Sequence, residues 1–427
     1  MSVTGVGVGP GRIDMMGGVA DYSGSMVLQV ATERATTVVA TLSDTANTND
    51  TIDLQSEPFG TFTVSLAPLR TAVTNGKYSD LDLKAIRAYL KEQQAPGWVF
   101  YVYGSLSTFV RETGWLPSAN QKLSLSVSST VPAAQGVSSS ASIEIGTLRS
   151  LEKVSGKSIS PLRLAHIAQA AENYVVGAPC GLMDQLASAL GSPGKVLPIL
   201  CRPDHVRELV PLPPNVTVVG WPSGVKHDVA GSPYLHARTA TFMGKKIAEI
   251  LLQKKVNHIT EFPPSVLLSV LDQLPEAMTG AEFIAKYQNV DDNLSVIDEK
   301  AIYHIRASAR FPVEESFRGS VALSLLNSLA TIPSGSAAYV ETLSQIGELM
   351  MQTHRAYGTI GLGCPETDIM ITKLMNYGPS KGIYGARMSG GGSGGTVAVL
   401  CERSAIPLVD ELGKTVVFDE PFPGLIN

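Results

Sequence analysis

Apolar positions along this chain follow two different periods, and the change from one to the other comes near residue 80. Before it, the runs Met26-Val-Leu-Gln-Val-Ala31, Ala35-Thr-Thr-Val-Val-Ala-Thr-Leu42 and Phe62-Thr-Val-Ser-Leu66 are broken by turn residues and predict strands. Helical periodicity then appears over Leu81–Gln93, Trp98–Thr113, Ser140–Val154 and Pro161–Val176, the last opened by Ser160 as N-cap and Pro161 in the first turn. Leu123–Val127 reads as a strand between two of these helices, so strands and helices mix within one half. The run Val216-Thr-Val-Val-Gly-Trp221 starts a fresh strand after the Pro-rich Pro211-Leu-Pro-Pro214, which marks the domain boundary, 1–210 against 211–427. Helices follow near Tyr234–Gln253 and Ala337–Tyr357. The segments Gly382–Arg387 and Thr396–Leu400 then flank a glycine-rich loop, Ser389–Gly395. The expected class is α+β.

Composition narrows the function. At 427 residues, 44% of them hydrophobic, the chain is long enough for two separate cores. A net charge of −5 without long runs of like charge provides no broad cationic field for nucleic acid or an anionic membrane, so neither is an expected partner. Cys180, Cys201, Cys364 and Cys401 have no CxxC spacing, which argues against structural zinc and a disulfide scaffold. No N-terminal basic segment leads into an apolar core, and no 18-residue apolar run occurs, so the expected compartment is cytoplasmic. Oligomeric state is not readable. Leu252–Arg318 contains Asp291-Asp292, His304, Arg306 and Arg310 without metal-ligand spacing and reads as scaffold or lid.

Two stretches carry chemistry. Val131-Pro-Ala-Ala-Gln-Gly-Val-Ser-Ser-Ser-Ala-Ser142 is a Gly/Ser-rich turn after a strand and before a helix. Free N–H groups, a positive helix end and clustered hydroxyls there suit a phosphate, and equally suit a solvated cap. The Walker A reading of Gly156-Lys157-Ser158 fails because Leu151 stands where the first glycine belongs. In Ala171–Gln185, Glu172 falls on a helix, and Gly177, Pro179 and Gly181 turn the chain before Asp184. Two carboxylates flanking a turn fit one metal role and one proton role, or a polar helix end with a capping Asp.

Taken together, Pro10-Gly-Arg12 with Asp21-Tyr22, Pro132-x-x-x-Gly-Val-Ser-Ser-Ser-Ala141 and Ser389-Gly-Gly-Gly-Ser-Gly-Gly395 resemble the three motifs of the GHMP kinase superfamily. Pro179-Cys-Gly-Leu-Met-Asp-Gln185 narrows the likeness to the galactokinase branch, over residues 8 to 401. The resemblance implies a two-domain fold, with an N-terminal mixed-sheet domain like domain 2 of ribosomal protein S5 and a C-terminal ferredoxin-like αβ domain. It implies ATP as co-substrate with Mg2+ held by Ser140 and Glu172. Gly136, Val137, Ser138, Ser139, Ser140, Ala141 and Ser142 would wrap the nucleotide phosphates. Trp98 and Tyr101 fall where the family places aromatics beside adenine, though core packing would also explain them. Asp184 and Arg12 match the catalytic pair at the anomeric hydroxyl, with Asp184 either accepting its proton or only orienting it. Arg12, Gly18, Val19, Asp21, Gly181, Asp184 and Tyr234 match the sugar-binding positions.

One departure bears on substrate. Gly18 and Val19 stand where galactokinases carry the Glu-His pair that contacts the hydroxyl on carbon six, while Asp21 keeps the ring contact. L-Arabinose has the ring stereochemistry of D-galactose without that exocyclic group, and an idle polar pair would cost about 1–3 kcal/mol per unsatisfied group. Met16–Ser25 and Ser389–Thr396 also resemble plant-type L-arabinokinases. The expected reaction is L-arabinose plus ATP to β-L-arabinose 1-phosphate and ADP. The alternatives are a galactokinase or related hexose 1-kinase whose carbon-six contact comes from elsewhere, and a non-catalytic sugar sensor. The intact Ser138–Ala141 run, with Glu172 and Asp184, favours catalysis.

Overall fold

The computed structural model describes residues 2–45, 50–202, 204–225 and 232–415. The chain is α+β and forms two units, one built from Met1–Arg12, Thr32–Pro132 and Ser138–Leu190, the other from Ile13–Ala31, Ala133–Val137 and Gly191–Asn427. Two long strands, β1 (Ser2–Met16) and β2 (Met26–Asp44), contribute to both. The two apolar runs expected as separate strands are thus one strand. Thr32-Glu-Arg34 between them is a polar interlude within it, with Thr32 Oγ1 donating to the Arg34 carbonyl at 2.7 Å.

In the first unit, the second half of β2 pairs antiparallel with β5 (Gln121–Ser129), and β5 runs parallel to β3 (Thr51–Ser56), which forms a hairpin with β4 (Gly60–Ser65). The sheet is therefore mixed. Burial alternates along β3, β5 and Thr36–Leu42, so one face of the sheet is apolar and packed. Helices α1 (Ala67–Thr74), α2 (Leu83–Glu92), α3 (Gly97–Thr113), α4 (Ser139–Ser155), α5 (Pro161–Ala170) and α6 (Met183–Leu190) complete the unit. The helix expected to continue to Val176 changes character at Ala171, where Ala171–Val176 is π-helical and ends at Gly177. Both Gly177 N–H and Ala178 N–H donate to the Glu172 carbonyl, at 2.8 and 3.1 Å. A π turn shifts the side chains that follow relative to an α-helix, and Glu172 lies in its opening residues.

In the second unit, Met26–Val30 pairs with β6 (Lys195–Leu200), which also pairs with the short β7 (His205–Val206) and β8 (Val210–Pro211). The other sheet has the order β12 (Ile383–Met388), β13 (Thr396–Glu402), β9 (Val216–Pro222), all antiparallel. Its strands are buried along almost their whole length because both faces are covered. Val218, Ala398 and Leu400 join a core with Ile13, Met15 and Leu343, while Val219, Val397 and Val399 pack with Met370, Ile371 and Leu374. Between β9 and β12 come α7 (Ser232–Leu251), α8 (Pro264–Leu268), α9 (Gly280–Tyr287), the two-residue strands β10 (Met278–Thr279) and β11 (Ile302–Tyr303), α10 (Ile305–Ser328), α11 (Ala337–Thr359) and α12 (Pro365–Met375). Gly347 of α11 lies flush on Gly385 of β12, where an added Cβ would come 1.9 Å from the Tyr384 carbonyl. No helix among the described residues is long and apolar enough to cross a membrane.

Candidate active site

The first unit gathers carboxylates. Arg12, near the end of that unit's β1 segment, makes a two-pronged ion pair with Asp184 in the first turn of α6, with Nε–Oδ1 and Nη2–Oδ2 both 2.9 Å. The Arg12 side chain is 3% exposed and that of Asp184 23%, so the guanidinium is fixed while the carboxylate keeps an open edge. Glu172, on the π turn, is buried and takes the Gln185 side-chain N–H at 2.5 Å. The same Gln185 nitrogen reaches Glu144 Oε2 at 3.2 Å. Burial pushes the Glu172 carboxyl up to about 7, helped by the charge of Asp184 and opposed by hydrogen bonds with Ser140, Cys180 and Gln185. Glu144 is raised well above the usual range by burial and then by Glu172. Oε1 of Glu144 and Oε1 of Gln185 are buried with no hydrogen-bond partner among the described residues.

Ser140 and Glu172, the expected metal pair, are therefore in contact. One hydroxyl and one carboxylate are hard oxygen donors of the kind Mg2+ takes when substrate phosphates and water fill its remaining positions. Like charges crowded into a buried place, with orphaned oxygens beside them, fit a divalent cation. No cluster of three His, Cys, Asp or Glu with metal geometry occurs among the described residues.

The Ser-rich turn is unusual in its backbone. Ala134, Gly136 and Ser138 all have positive φ, at 56°, 68° and 59°. Such alternation turns successive N–H groups toward one side, the arrangement that cradles anions. Ser138 precedes α4, and Ser139, Ser140 and Ala141 form its first turn. Ser138 Oγ is buried and lacks a partner among the described residues. Ser142 differs, since its hydroxyl donates to the Gly9 carbonyl at 2.6 Å and contacts Thr36 Oγ1 at 2.7 Å, which ties α4 to the sheet. Val137 is 1% exposed. Trp98 and Tyr101 lie in the first turns of α3, half-buried, and Trp98 Nε1 is buried without a partner among the described residues. Gly181 lies in the bend before α6.

In the second unit, the loop after β1 is held by residues far along the chain. Gly18 to Ser23 form a 3-10 turn in which Gly18, Val19 and Asp21 are buried, and the Asp21 carboxylate accepts the Tyr22 N–H at 2.7 Å. Gly18 has φ +47°, and a Cβ there would meet the Tyr357 hydroxyl oxygen at 1.6 Å. That hydroxyl accepts the Val19 N–H at 3.2 Å and donates to the Gly390 carbonyl at 2.6 Å, joining the first and third motifs. Tyr234 packs with Val19 and Tyr357 in one apolar cluster and stands edge-on to Tyr22. Tyr22 in turn lies under the Arg238 guanidinium, which Asp292 holds at 3.0 Å.

Several of these partners were not singled out in the sequence. Asp14 and Arg387 form a fully buried ion pair at 2.6 Å, and Gln29 donates to the same aspartate at 2.7 Å. Glu315 accepts the Gly17 N–H at 2.9 Å and also binds Thr353 and Arg318. A signal existed for Arg387, because a charge inside an otherwise uncharged strand requires a buried partner. The sequence does not say which.

Residues 101–192 match the GHMP kinases N terminal domain, and residues 336–417 match the GHMP kinases C terminal domain. An Arabidopsis thaliana protein named L-arabinokinase is 32% identical over 449 residues, covering 92% of this chain and 42% of its own length. The galactokinase of Canis lupus familiaris is 27% identical over 398 residues, covering 92% of this chain and 83% of its own. The chain thus spans less than half of the first relative and most of the second. Lactococcus lactis galactokinase complexed with galactose has the same fold, with a TM-score of 0.72 at 20% identity over 97% of this chain and 89% of that one.

Proposed function

We propose, on the premise that the chain belongs to the GHMP kinases, that it is an ATP-dependent sugar 1-kinase acting on L-arabinose to give β-L-arabinose 1-phosphate and ADP. The observation that carries the catalytic reading is the Arg12–Asp184 pair, whose carboxylate alone keeps an open edge in a group of buried acids. The anomeric oxygen forms a bond to the γ-phosphorus as the bond to the β–γ bridging oxygen breaks. Asp184 takes the hydroxyl proton, and ADP leaves. Arg12 fixes the carboxylate in one orientation, and a positioned base of this kind contributes about 10² to 10⁴-fold. Ser140 and Glu172 would hold Mg2+, which neutralises charge on the phosphates. The turn from Gly136 to Ala141 offers its N–H groups to those phosphates.

The pentose assignment rests on Gly18 and Val19. Neither Gly18 nor Val19 supplies a side-chain partner for an exocyclic hydroxyl: Val19 packs in the apolar cluster, and the place of a side chain at position 18 is taken by the Tyr357 hydroxyl, already bonded to the Val19 N–H and the Gly390 carbonyl. Asp21 is assigned to the ring hydroxyls, with Tyr234 and Gly181 as further sugar contacts. The relative named L-arabinokinase supports the same reading. Trp98 and Tyr101 are assigned to adenine.

The test is ADP release by purified protein with Mg·ATP and a panel of pentoses and hexoses. The expected result is the highest kcat/KM on L-arabinose. A clear preference for D-galactose would overturn the substrate, and absence of ADP with every sugar would overturn the kinase reading in favour of a sensor.

A further inference from the structure

In the second unit a cavity of about 640 Å³, lined by residues of α10 and α11, has an arginine-rich wall, none of which the phosphoryl-transfer reading uses. Arg306, Arg310, Glu314 and Arg318 recur every fourth residue and line it from one face of α10, and Arg355 of α11 lines it too. Arg318 has Glu315 at 2.9 Å, but the other cations are less evenly matched. Glu314 is shared by Arg310 at 2.5 Å and Arg318 at 3.5 Å, and Arg355 has Glu348 only at 3.8 Å. Arg306 points its donors at the neutral carbonyls of Leu274 and Asp272. Arg318 is 9% exposed overall, and its Nη2 is buried without a hydrogen-bond partner among the described residues. In a chain of net charge −5, this local excess of guanidinium is built against the general trend.

We infer that this cavity binds a small phosphorylated anion and that its occupancy is coupled to the loop Gly17–Tyr22. Guanidinium forks suit tetrahedral phosphoryl oxygens, and a phosphoryl dianion supplies counter-charge to Arg306 and Arg355, neither of which has a close carboxylate, while accepting from the idle Nη2 of Arg318. The volume exceeds that of inorganic phosphate and accommodates a small organic phosphate. Glu276, also in the lining, sets a limit on how much negative charge can enter.

Two contacts link the cavity to the loop. Arg318 Nε binds Glu315 Oε2 at 2.9 Å, and the other oxygen of Glu315 receives the Gly17 N–H. Phe311, in the cavity wall, packs edge-on against Tyr357, with ring centroids 5.6 Å apart, and Tyr357 holds Val19. An anion that draws Arg318 outward loosens its hold on Glu315. By reciprocity a sugar that reorders the loop alters anion affinity by the same factor. The coupling rests on the reading of Gly17–Tyr22 as the sugar loop; the anion site does not.

The test separates the two. With Mg2+ and a non-hydrolysable ATP analogue saturating the nucleotide loop, inorganic phosphate and glycerol 3-phosphate are titrated by calorimetry into wild-type protein and into the Arg310→Gln/Arg355→Gln variant, whose altered side chains are exposed. The expected result is one bound phosphate per chain in wild type, about 10-fold weaker in the variant, with ATP-analogue affinity unchanged. Tighter binding of glycerol 3-phosphate than of inorganic phosphate identifies an organic phosphate as the occupant. Equal binding in both proteins, or none in wild type, overturns the anion site. For the coupling, L-arabinose affinity measured without turnover should shift at least about 5-fold with phosphate in wild type and stay constant in the variant. Equal shifts in both proteins, or none in either, overturn the coupling. If L-arabinose binds neither protein, the substrate reading fails and the phosphate titration still decides the site.

Discussion

In the first unit Glu144 and Glu172 crowd beside Asp184, the one acid that Arg12 holds, and both are pushed upward by burial and by neighbouring acids. In the second, Asp14 meets Arg387, Asp292 meets Arg238 and Glu315 meets Arg318, each acid with its own cation. Both regions are buried and polar, so burial alone does not distinguish them. The balance of charge does. Crowded like charges suit a place that receives a cation and phosphates, whereas matched pairs fix the shape of a loop.

Breaking the first region should cost activity, and breaking the second should cost stability or sugar affinity. The largest effect is expected from Asp184→Asn, which should lower kcat for sugar-dependent ADP formation by about 10² to 10⁴-fold with ATP affinity retained. Near-normal turnover would refute the base assignment. Arg387→Met leaves Asp14 buried without its cation and should destabilise the protein by about 3–5 kcal/mol in denaturant titration; a loss under 1 kcal/mol would show that Gln29 and the Gly390 N–H, which also donates to Asp14 at 3.3 Å, suffice for it.

Glu172 gives a pH signature. Its folded carboxyl, near 7, stands above the unfolded value near 4.5, so the folded state holds the proton more tightly. The associated stability is complete below about pH 4.5 and is lost as pH rises through 7, about 3 kcal/mol in all. Without Mg2+, Glu172→Gln should therefore gain on wild type between pH 5 and 8 in thermal melts, and parallel curves would contradict the shift. The smallest effect belongs to Tyr357→Phe. Losing the hydrogen bonds to Val19 and Gly390 should raise sugar KM several-fold, for about 1–2 kcal/mol, while ATP KM holds. An equal rise in both would show that Tyr357 does not act through the sugar loop.

The two regions also differ in how far they could be read in advance. Arg12, Ser140, Glu172 and Asp184 sit in short motifs whose spacing is local, and the chain does bring Arg12 to Asp184 and Ser140 to Glu172. Asp14, Glu315, Tyr357 and Arg387 meet only through tertiary packing across some 300 residues, which no periodicity reports. Helix α10 was missed for a local reason. Pro312 lies in its interior, breaking the helical pattern and removing the N–H that would bond the Ser308 carbonyl. The folded chain compensates from outside, since Thr241 Oγ1 donates to that carbonyl at 3.1 Å. Propensity cannot anticipate a hydroxyl from another helix. The π turn at Glu172 escaped for a similar reason, because its residues are compatible with an ordinary helix.

The interleaving of the chain between its two units has a consequence during synthesis. Ile13, Met15, Met26 and Leu28 belong to a core whose other walls include Ala398 and Leu400. At ribosomal speeds of about 5–20 residues per second, those early apolar residues wait on the order of tens of seconds for their last neighbours to emerge. Until β6 emerges to pair with Met26–Val30, the segment from Ile13 to Ala31 is sticky and unsheltered on the nascent polypeptide, and its core stays incomplete until β13 follows. Chaperone occupancy should concentrate there, and expression of the protein as two consecutive halves would leave the second unit without the part of its interior that Ile13–Ala31 supplies.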